Sequence, residues 1–108
     1  MLQFDIITIF PNIFVPVLNE SIIKRAQQKG LVRINLHNLR DFSLDKHKKV
    51  DDRPFGGGPG MVMRPEPIFR AVANIKLKSK KEKVKIKTIL LSPQGKKLDQ
   101  AFAKKLSK

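Results

Sequence analysis

A glycine-rich segment is the part of the chain best suited to hold a flat ligand. Residues 56–60 read Gly-Gly-Gly-Pro-Gly, and the strongly charged run 45–53 precedes them. Glycine backbone can approach a planar group closely or swing as a hinge. A long loop without hydrophobic periodicity is uncommon inside a small domain unless it is functional or disordered. The segment therefore predicts a loop that a ligand or partner orders, and a plain flexible linker remains the alternative.

The spacing of these glycines excludes two common phosphate-binding motifs. Met61 stands where a dinucleotide fingerprint requires its third glycine. A Walker loop is also excluded, because no Gly-Lys-Ser or Gly-Lys-Thr follows.

The turn Ser92-Pro93-Gln94-Gly95 is a second candidate site. It follows a predicted strand over 85–91, whose last three residues, Ile89-Leu90-Leu91, are continuously apolar, as expected for a central parallel strand. In open α/β sheets, ligands bind at the carboxyl ends of the strands. The small or φ-restricted residues of the turn leave backbone groups free to face a bound molecule. An ordinary strand-to-helix turn remains the alternative.

Asp51 and Asp52 form an acidic pair directly before the glycine-rich segment. Carboxylates can act as a general base or as cation ligands, but adjacent residues rarely point to one spot. We therefore expect them to pair with Arg53, Lys48 or Lys49 rather than to act directly in catalysis.

The remaining candidates are two histidines, one arginine and two methionines. His47 has no histidine company other than His37, so no metal site is expected. His37 is expected to face solvent from a strand. Arg25 lies on the polar side of a helix, where a phosphate contact and simple solvation are equally open. Met61 and Met63 are expected in the core.

The bulk properties describe a small basic protein. The chain has 108 residues, 41% of them hydrophobic, no cysteine and a net charge of +14. This length fits one domain, and the lack of cysteine excludes disulfides and thiolate metal sites. Met1–Asp5 do not resemble a leader, and there is no long apolar run, so we expect a cytoplasmic protein with no membrane partner. The charge favours nucleic acid as partner.

The positive charge is concentrated towards the end of the sequence. Residues 76–108 hold 12 of the 23 lysines and arginines, with Glu82 and Asp99 as their acids. Every basic residue in this part is lysine, which suits general phosphate attraction better than base reading. A lysine-rich solvated surface remains the alternative.

The apolar pattern predicts an α/β fold with an open, mostly parallel sheet and flanking helices. Strands are expected at 4–9, 32–37 and 85–91, with a short one at 61–63. Asn12 and Ser21 are expected to cap two helices, the second ending at Gly30. A third helix is expected from Pro65 to Ile75, followed by a charged connector over 76–83, and a last helix over 96–106.

Several blocks of the sequence, in order, resemble the bacterial tRNA (guanine-N1)-methyltransferase family. The most specific is the long motif Val50–Met63, which reads VDDRPFGGGPGMVM. The others are Phe4-Asp5-Ile6 through Phe10-Pro11, Gly30-Leu31, Arg40-Asp41-Phe42, Asp45-Lys46-His47 and Leu90-Leu91-Ser92-Pro93-Gln94-Gly95.

The resemblance implies a SPOUT-class fold with a trefoil knot and S-adenosylmethionine as cofactor. It implies methylation of N1 of the guanosine just 3′ of the tRNA anticodon, after that base is flipped out. Leu90, Leu91, Ser92 and Pro93 would form the first cofactor loop, with Gln94 and Gly95 adjoining. Pro59 and Gly60 would lie beside the guanine. The residues expected to face tRNA or to order the loop are Arg25, His47, Asp51, Asp52 and Arg53.

The resemblance also implies a longer protein that acts as a homodimer. Residues 1–108 would be the amino-terminal part of an incomplete SPOUT domain. The knot-closing part, the catalytic residues and a carboxyl-terminal tRNA-binding domain are expected beyond Lys108. We therefore expect this chain to be inactive alone. A non-enzymatic basic module that binds tRNA or other RNA is the alternative, and DNA is not an expected partner.

Overall fold

The computed structural model describes residues 2–52, 57, 60 and 62–107. Within them, strands and helices follow one another along the chain. They are β1 Leu2–Thr8, α1 Pro11–Leu18, α2 Ser21–Gln28, β2 Val32–Asn38, a 3₁₀ helix Leu39–Phe42, β3 Asp51–Asp52, β4 Val62–Met63, α3 Pro65–Glu82 and α4 Gln100–Leu106.

β1 and β2 form a parallel pair, as the sequence predicts. Their register places Leu2 opposite Val32, Ile6 opposite Leu36 and Thr8 opposite Asn38. Parallel neighbours require a crossover connection, and α1 and α2 supply it. The expected βαβ unit is therefore confirmed.

Helix α2 ends through a glycine, as expected from Gly30. This residue has a φ of +71°, and its amide donates to the Gln27 carbonyl at 3.1 Å. The Leu31 amide reaches back to the Ala26 carbonyl at 3.0 Å, which completes a Schellman motif. The predicted caps are displaced, because Ser21 is the first residue of α2 and Asn12 the second residue of α1.

The two faces of the parallel pair have different surroundings. On one face, the apolar side chains Phe4, Ile6 and Ile34 meet Ile23 and Ala26 of α2 in an open groove. The alternation of strand side chains sends Ile7 to the opposite face, where it packs against the core.

The core lies where β1 ends and α3 begins. Leu39, Val50 and Ala71 are buried, with exposures of 2%, 1% and 0%. Arg70 also links α3 to the 3₁₀ helix, because its Nε donates to the Phe42 carbonyl at 2.6 Å. Partly buried side chains pack around this core, namely Ile7, Ile9, Phe42 and Ile68.

Two element predictions in the second half of the chain are wrong. The expected connector over 76–83 is helical as far as Glu82, because lysine, leucine and glutamate are good helix formers. The expected strand over 85–91 is not part of a sheet, because no described strand pairs with it. A β-prone sequence forms a strand only when a neighbour accepts its backbone hydrogen bonds.

The last helix is shorter than predicted, since α4 begins at Gln100 rather than 96. Asp99 caps it by accepting a hydrogen bond from the Phe102 amide at 2.8 Å. Across the described ranges, no helix combines the length and the apolar character needed to cross a membrane.

Candidate functional site

Two short strands flank the glycine-rich segment in the sequence and pair as a small antiparallel hairpin. Asp51 lies opposite Met63, and Asp52 lies opposite Val62. Just outside the hairpin, the Arg64 amide donates to the Val50 carbonyl at 2.6 Å. Because Val50 is buried in the core, this contact joins the hairpin to the fold.

Two glycines of the segment adopt backbone conformations that other residues rarely take. Gly57 has a φ of +78° and Gly60 a φ of +84°. A Cβ added at either position would meet nothing within 4 Å. Glycine is therefore favoured there by backbone conformation rather than by lack of space.

The loop before the hairpin is closed by a set of local hydrogen bonds. The buried Ser43 donates through Oγ to the Lys49 carbonyl at 2.5 Å and accepts from the Asp45 amide at 3.2 Å. The Asp45 carboxylate accepts from the amides of His47 at 2.9 Å and Lys49 at 3.3 Å. This Ser43–Asp45 clasp fixes the loop that presents His47 and leads into Val50.

The clasp sets the protonation of its own carboxylate. Backbone hydrogen bonds from Lys49 and then His47 hold the pKa of Asp45 below its ordinary value of 3.8. The lowered pKa extends the ionised state of the Asp45 carboxylate to more acidic pH. The sequence motif did not predict this role, although a Ser-x-Asp spacing is typical of such turns.

The acidic pair differs in environment. Asp51 is half-buried and Asp52 is exposed. The Asp52 carboxylate lies 3.8 Å from Arg64 Nε, a partner that the sequence did not indicate. Both side chains are partly open to water, so this ion pair contributes little to stability.

Some predicted residues near the loop lie outside the described ones. These are Arg53, Pro59 and Met61. The expectation that Met63 belongs to the core is wrong, because its side chain is 45% exposed. Met63 lies in the short strand β4 at the surface, where apolar character alone does not secure burial.

A polar cluster on the parallel strands corrects the expectation for His37. Its Nε2 lies 2.9 Å from Asp5 Oδ1, and the histidine side chain is only 15% exposed. Asn35 donates to Asp5 Oδ1 at 3.1 Å, and Gln3 donates to Oδ2 at 3.1 Å. His37 therefore faces a cross-strand partner instead of solvent, because residues 5 and 37 share one face of the pair.

The charge of Asp5 depends on this cluster. Partial burial raises the pKa of the Asp5 carboxyl, but the hydrogen bonds from His37, Asn35 and Gln3 outweigh burial. The pKa of Asp5 is therefore lowered from its ordinary value of 3.8.

The second candidate loop forms a tight turn, as predicted. The Gly95 amide donates to the Ser92 carbonyl at 3.0 Å, and the Gln94 amide donates to Ser92 Oγ at 3.2 Å. Leu90 and Leu91 precede the turn with side chains 87% and 91% exposed. Their backbone groups make no hydrogen bond to the described residues.

The structure groups only some of the predicted site residues. Asp51 and Asp52 lie at the base of the glycine-rich loop, and His47 lies in the clasped loop that leads into it. Arg25 lies on α2, which packs against β2 and α1 rather than against the hairpin. The cofactor candidates form a separate stretch over 90–95. In the part of the chain that is described, no three His, Asp or Glu side chains could jointly hold a metal ion.

A solved structure shares this arrangement closely. The crystal structure of tRNA (m1G37) methyltransferase from Aquifex aeolicus matches with a TM-score of 0.81 and 38% sequence identity. The match covers 99% of this chain and 46% of that one. The parallel βαβ unit and the glycine-rich hairpin therefore define part of a SPOUT-class methyltransferase fold.

The family follows from the sequence comparisons. The family model described as tRNA (Guanine-1)-methyltransferase TrmD matches residues 2–108, and the chain belongs to this family. A tRNA (guanine-N(1)-)-methyltransferase from Dictyoglomus turgidum is 54% identical over 108 residues. One from Caldanaerobacter subterraneus subsp. tengcongensis is 50% identical over 105 residues. The chain spans 42% of the length of each of these two relatives.

Proposed function

We propose that the protein methylates N1 of the guanosine just 3′ of the tRNA anticodon, with S-adenosylmethionine as methyl donor. The observation that carries this proposal is the family match along residues 2–108, which includes the whole glycine-rich motif. In this proposal, the chain supplies the guanine-side loop and one cofactor loop, and the two are about 30 residues apart in sequence.

The glycine-rich hairpin is proposed to hold the target guanine. N1 lies on the Watson–Crick edge of the base, so the nucleotide must leave its stack before N1 can react. Backbone groups at Pro59 and Gly60 would then contact the flipped base. The positive φ of Gly60 supports this role, because it turns the backbone in a way that a bulkier residue would resist.

The charged residues around this loop are proposed to face tRNA or to order the loop. His47 is exposed on the loop that Ser43 and Asp45 close. Asp51 and Asp52 would order the base of the hairpin, and Arg53 would contact the RNA. Arg25 is exposed on α2, which does not pack against the hairpin, and its guanidinium would bind a phosphate in another part of the RNA.

The second loop is proposed to bind S-adenosylmethionine. The exposed side chains of Leu90 and Leu91 suit the flat apolar faces of an adenine. The backbone groups of Leu90 and Leu91, which make no hydrogen bond to the described residues, suit the polar edge of the adenine. The turn from Ser92 through Pro93 and Gln94 to Gly95 would border the cofactor. These residues therefore fit the cofactor by chemistry.

Methyl transfer needs N1 of the guanine and the methyl carbon of the donor to be held in line. Bound S-adenosylmethionine supplies an electrophilic methyl group on a sulfonium sulfur. The hairpin residues would hold the guanine with N1 towards this methyl group, and Leu90 and Leu91 of the second loop would keep water from it. Such positioning supplies a large part of the rate acceleration. No residue of this chain is assigned as the base that takes the N1 proton.

A chimeric enzyme tests this proposal. Residues 1–108 of this chain would replace the matching part of the Dictyoglomus turgidum relative, to which they are 54% identical. The chimera is expected to transfer tritiated methyl groups from S-adenosylmethionine to an unmodified tRNA transcript. A transcript with adenosine in place of the target guanosine is the matched control. A folded chimera that binds tRNA and transfers no methyl group would contradict the proposal.

A basic module that binds RNA without methylating it is the second candidate. The net charge of +14 favours it, since such a charge attracts any nucleic acid. It predicts tRNA binding with a steep salt dependence and an inactive chimera, so the same assay separates the two functions.

We further propose a cytoplasmic homodimer, which family resemblance supports.

A further inference from the structure

The second half of α3 is the most densely basic helical surface in the described chain. Its last seven residues and the helix-ending Lys83 include five lysines in eight positions, and Glu82 is the one acid among them. We call these lysines the lysine end of α3. They are Lys76, Lys78, Lys80, Lys81 and Lys83.

These lysines project from the fold. The first half of α3 is anchored by the buried residues Pro67 and Ala71, whereas the five lysines are all exposed. Leu77 between them is 56% exposed. In the described ranges, no carboxylate lies within 4.0 Å of these five amines. The charge of this surface is therefore not neutralised within the described fold.

The arrangement costs the helix some stability. Lys76 and Lys80 are four residues apart, and Lys78 and Lys81 are three apart, so like charges face each other along the surface. An anionic partner would relieve this repulsion. A folded helix that carries such a cluster without internal ion pairs is therefore suited to bind a polyanion.

The side-chain chemistry favours a nucleic-acid backbone over a membrane. A helix that lies on a membrane needs an apolar face beside its basic one, and Leu77 is the one apolar residue between 76 and 83. Lysine acts as a mobile point charge that binds phosphate without reading bases. The partner that fits is a phosphate backbone recognised by charge.

The place of the lysines along α3 connects them to the glycine-rich loop. α3 begins at Pro65, directly after the hairpin that carries that loop. With a rise of about 1.5 Å per residue, the lysines lie roughly 16 to 27 Å along the helix axis from its start. The lysines are therefore separate from the glycine-rich loop and lie along the helix that follows it.

We infer that the lysine end of α3 is a second tRNA contact, which binds the phosphate backbone of the stem adjoining the target guanosine without reading its sequence. The inference rests on the proposed function for the identity of the RNA. The lysine end of α3 would hold the stem, while the glycine-rich loop would hold the base. The contact is electrostatic, so it adds affinity and a steep dependence on salt.

The test is tRNA binding at several salt concentrations. Fluorescence anisotropy of labelled, unmodified tRNA would give the Kd of the 108-residue chain between about 50 and 200 mM KCl. The variant combines Lys76→Gln, Lys78→Gln, Lys80→Gln and Lys81→Gln. Its slope of log affinity against log salt is expected to be shallower by roughly two to three, with affinity at least about tenfold weaker at low salt.

A control variant removes the same number of charges elsewhere. It combines Lys24→Gln, Lys29→Gln, Lys97→Gln and Lys104→Gln, all at exposed positions. Circular dichroism would establish that both variants keep the helix content of the parent. The inference predicts a clearly smaller effect for the control. Equal changes in slope would overturn it, because net charge alone would then explain binding.

Two further outcomes separate the possible failures. If phosphatidylserine vesicles compete for the same lysines and bind more tightly than tRNA, the partner is a membrane and the inference is wrong. The methylation chimera is measured independently. An inactive chimera combined with lysine-dependent tRNA slopes would contradict the proposed function and leave the RNA contact supported.

Discussion

Single residues on the parallel strands hold the two strands in register through charge. The Asp5 carboxylate is fixed by His37 and Asn35 of the neighbouring strand and by Gln3 of its own. Burial alone would favour the neutral acid, but these hydrogen bonds stabilise the carboxylate. The cluster therefore makes stability depend on pH.

Asp5→Asn is expected to lower the free energy of unfolding by about 1 kcal/mol at pH 7. The folded pKa of Asp5 lies below its ordinary value of 3.8, so the carboxylate stabilises the fold fully above that pH. This contribution is lost as pH falls through the folded pKa. Urea unfolding of parent and variant at pH 7 and pH 3 would measure a difference that shrinks in acid. Glu82→Gln, at an exposed site, should show little effect at either pH.

The backbone conformation of Gly60 gives a second prediction about a single residue. Its φ of +84° is strained for β-branched residues, whereas asparagine tolerates positive φ better. In the chimera, Gly60→Val is expected to lower the methylation rate roughly tenfold to a hundredfold, consistent with a strain of about 1 to 3 kcal/mol. Gly60→Asn should retain more activity. Equal loss in both variants would show that side-chain bulk, and not backbone conformation, matters there.

Among the elements, α3 shows how a helix can end without glycine. Lys83 has a φ of +57°, and the Val84 amide donates to the Ser79 carbonyl at 3.0 Å. Lysine in this left-handed conformation costs about 1 kcal/mol relative to glycine.

Lys83→Gly is therefore expected to raise the free energy of unfolding by about 1 kcal/mol. Urea unfolding would measure the gain, with Lys81→Gly as a control in the helix interior. The control should be destabilised by about 1 kcal/mol, since glycine is a poor helix former there. A loss of stability in Lys83→Gly would contradict the left-handed helix end.

The first elements of the fold could be predicted from the sequence, because local patterns determine them. β1 follows from a short apolar, β-branched run, β2 from alternation, and the end of α2 from Gly30 as a glycine at a helix end. The strand predicted over 85–91 failed, because its pairing depends on a partner that local pattern does not reveal. The connector predicted over 76–83 is wrong for another reason: a run of charged residues does not by itself indicate a loop, because lysine favours helix.

The candidate site was predictable to a similar degree. The motif Val50–Met63 indicated the glycine-rich loop and its place before a helix. It did not indicate the Ser43–Asp45 clasp, the ion pair of Asp52 with Arg64, or the burial of His37 against Asp5. These contacts depend on which side chains the fold brings together, and residues distant in sequence give no periodic signal of that.

For the whole molecule, stability depends on a small core. Leu39, Val50 and Ala71 are buried, while many large apolar side chains elsewhere are exposed, including Ile22 at 75% and Leu44 at 82%. A domain of this size buries a modest share of its surface and is correspondingly sensitive to core changes.

Leu39→Ala is expected to lower the free energy of unfolding by about 2 to 5 kcal/mol, because it removes buried methyl groups and leaves a cavity. Leu44→Ala makes the same chemical change at an exposed position and should have an effect within about 0.5 kcal/mol. Chemical unfolding monitored by circular dichroism would measure both. Similar losses for the two variants would show that Leu39 is not at the centre of the core.

We propose that this chain supplies the guanine-side and cofactor loops of a tRNA (guanine-N1)-methyltransferase. Primer extension on tRNA treated with the chimera tests it directly, because a methyl group at N1 blocks base pairing and stops the polymerase. We expect one new stop, at the guanosine just 3′ of the anticodon, that appears only with S-adenosylmethionine. A stop at another position, or no stop with a folded chimera that binds tRNA, would contradict it.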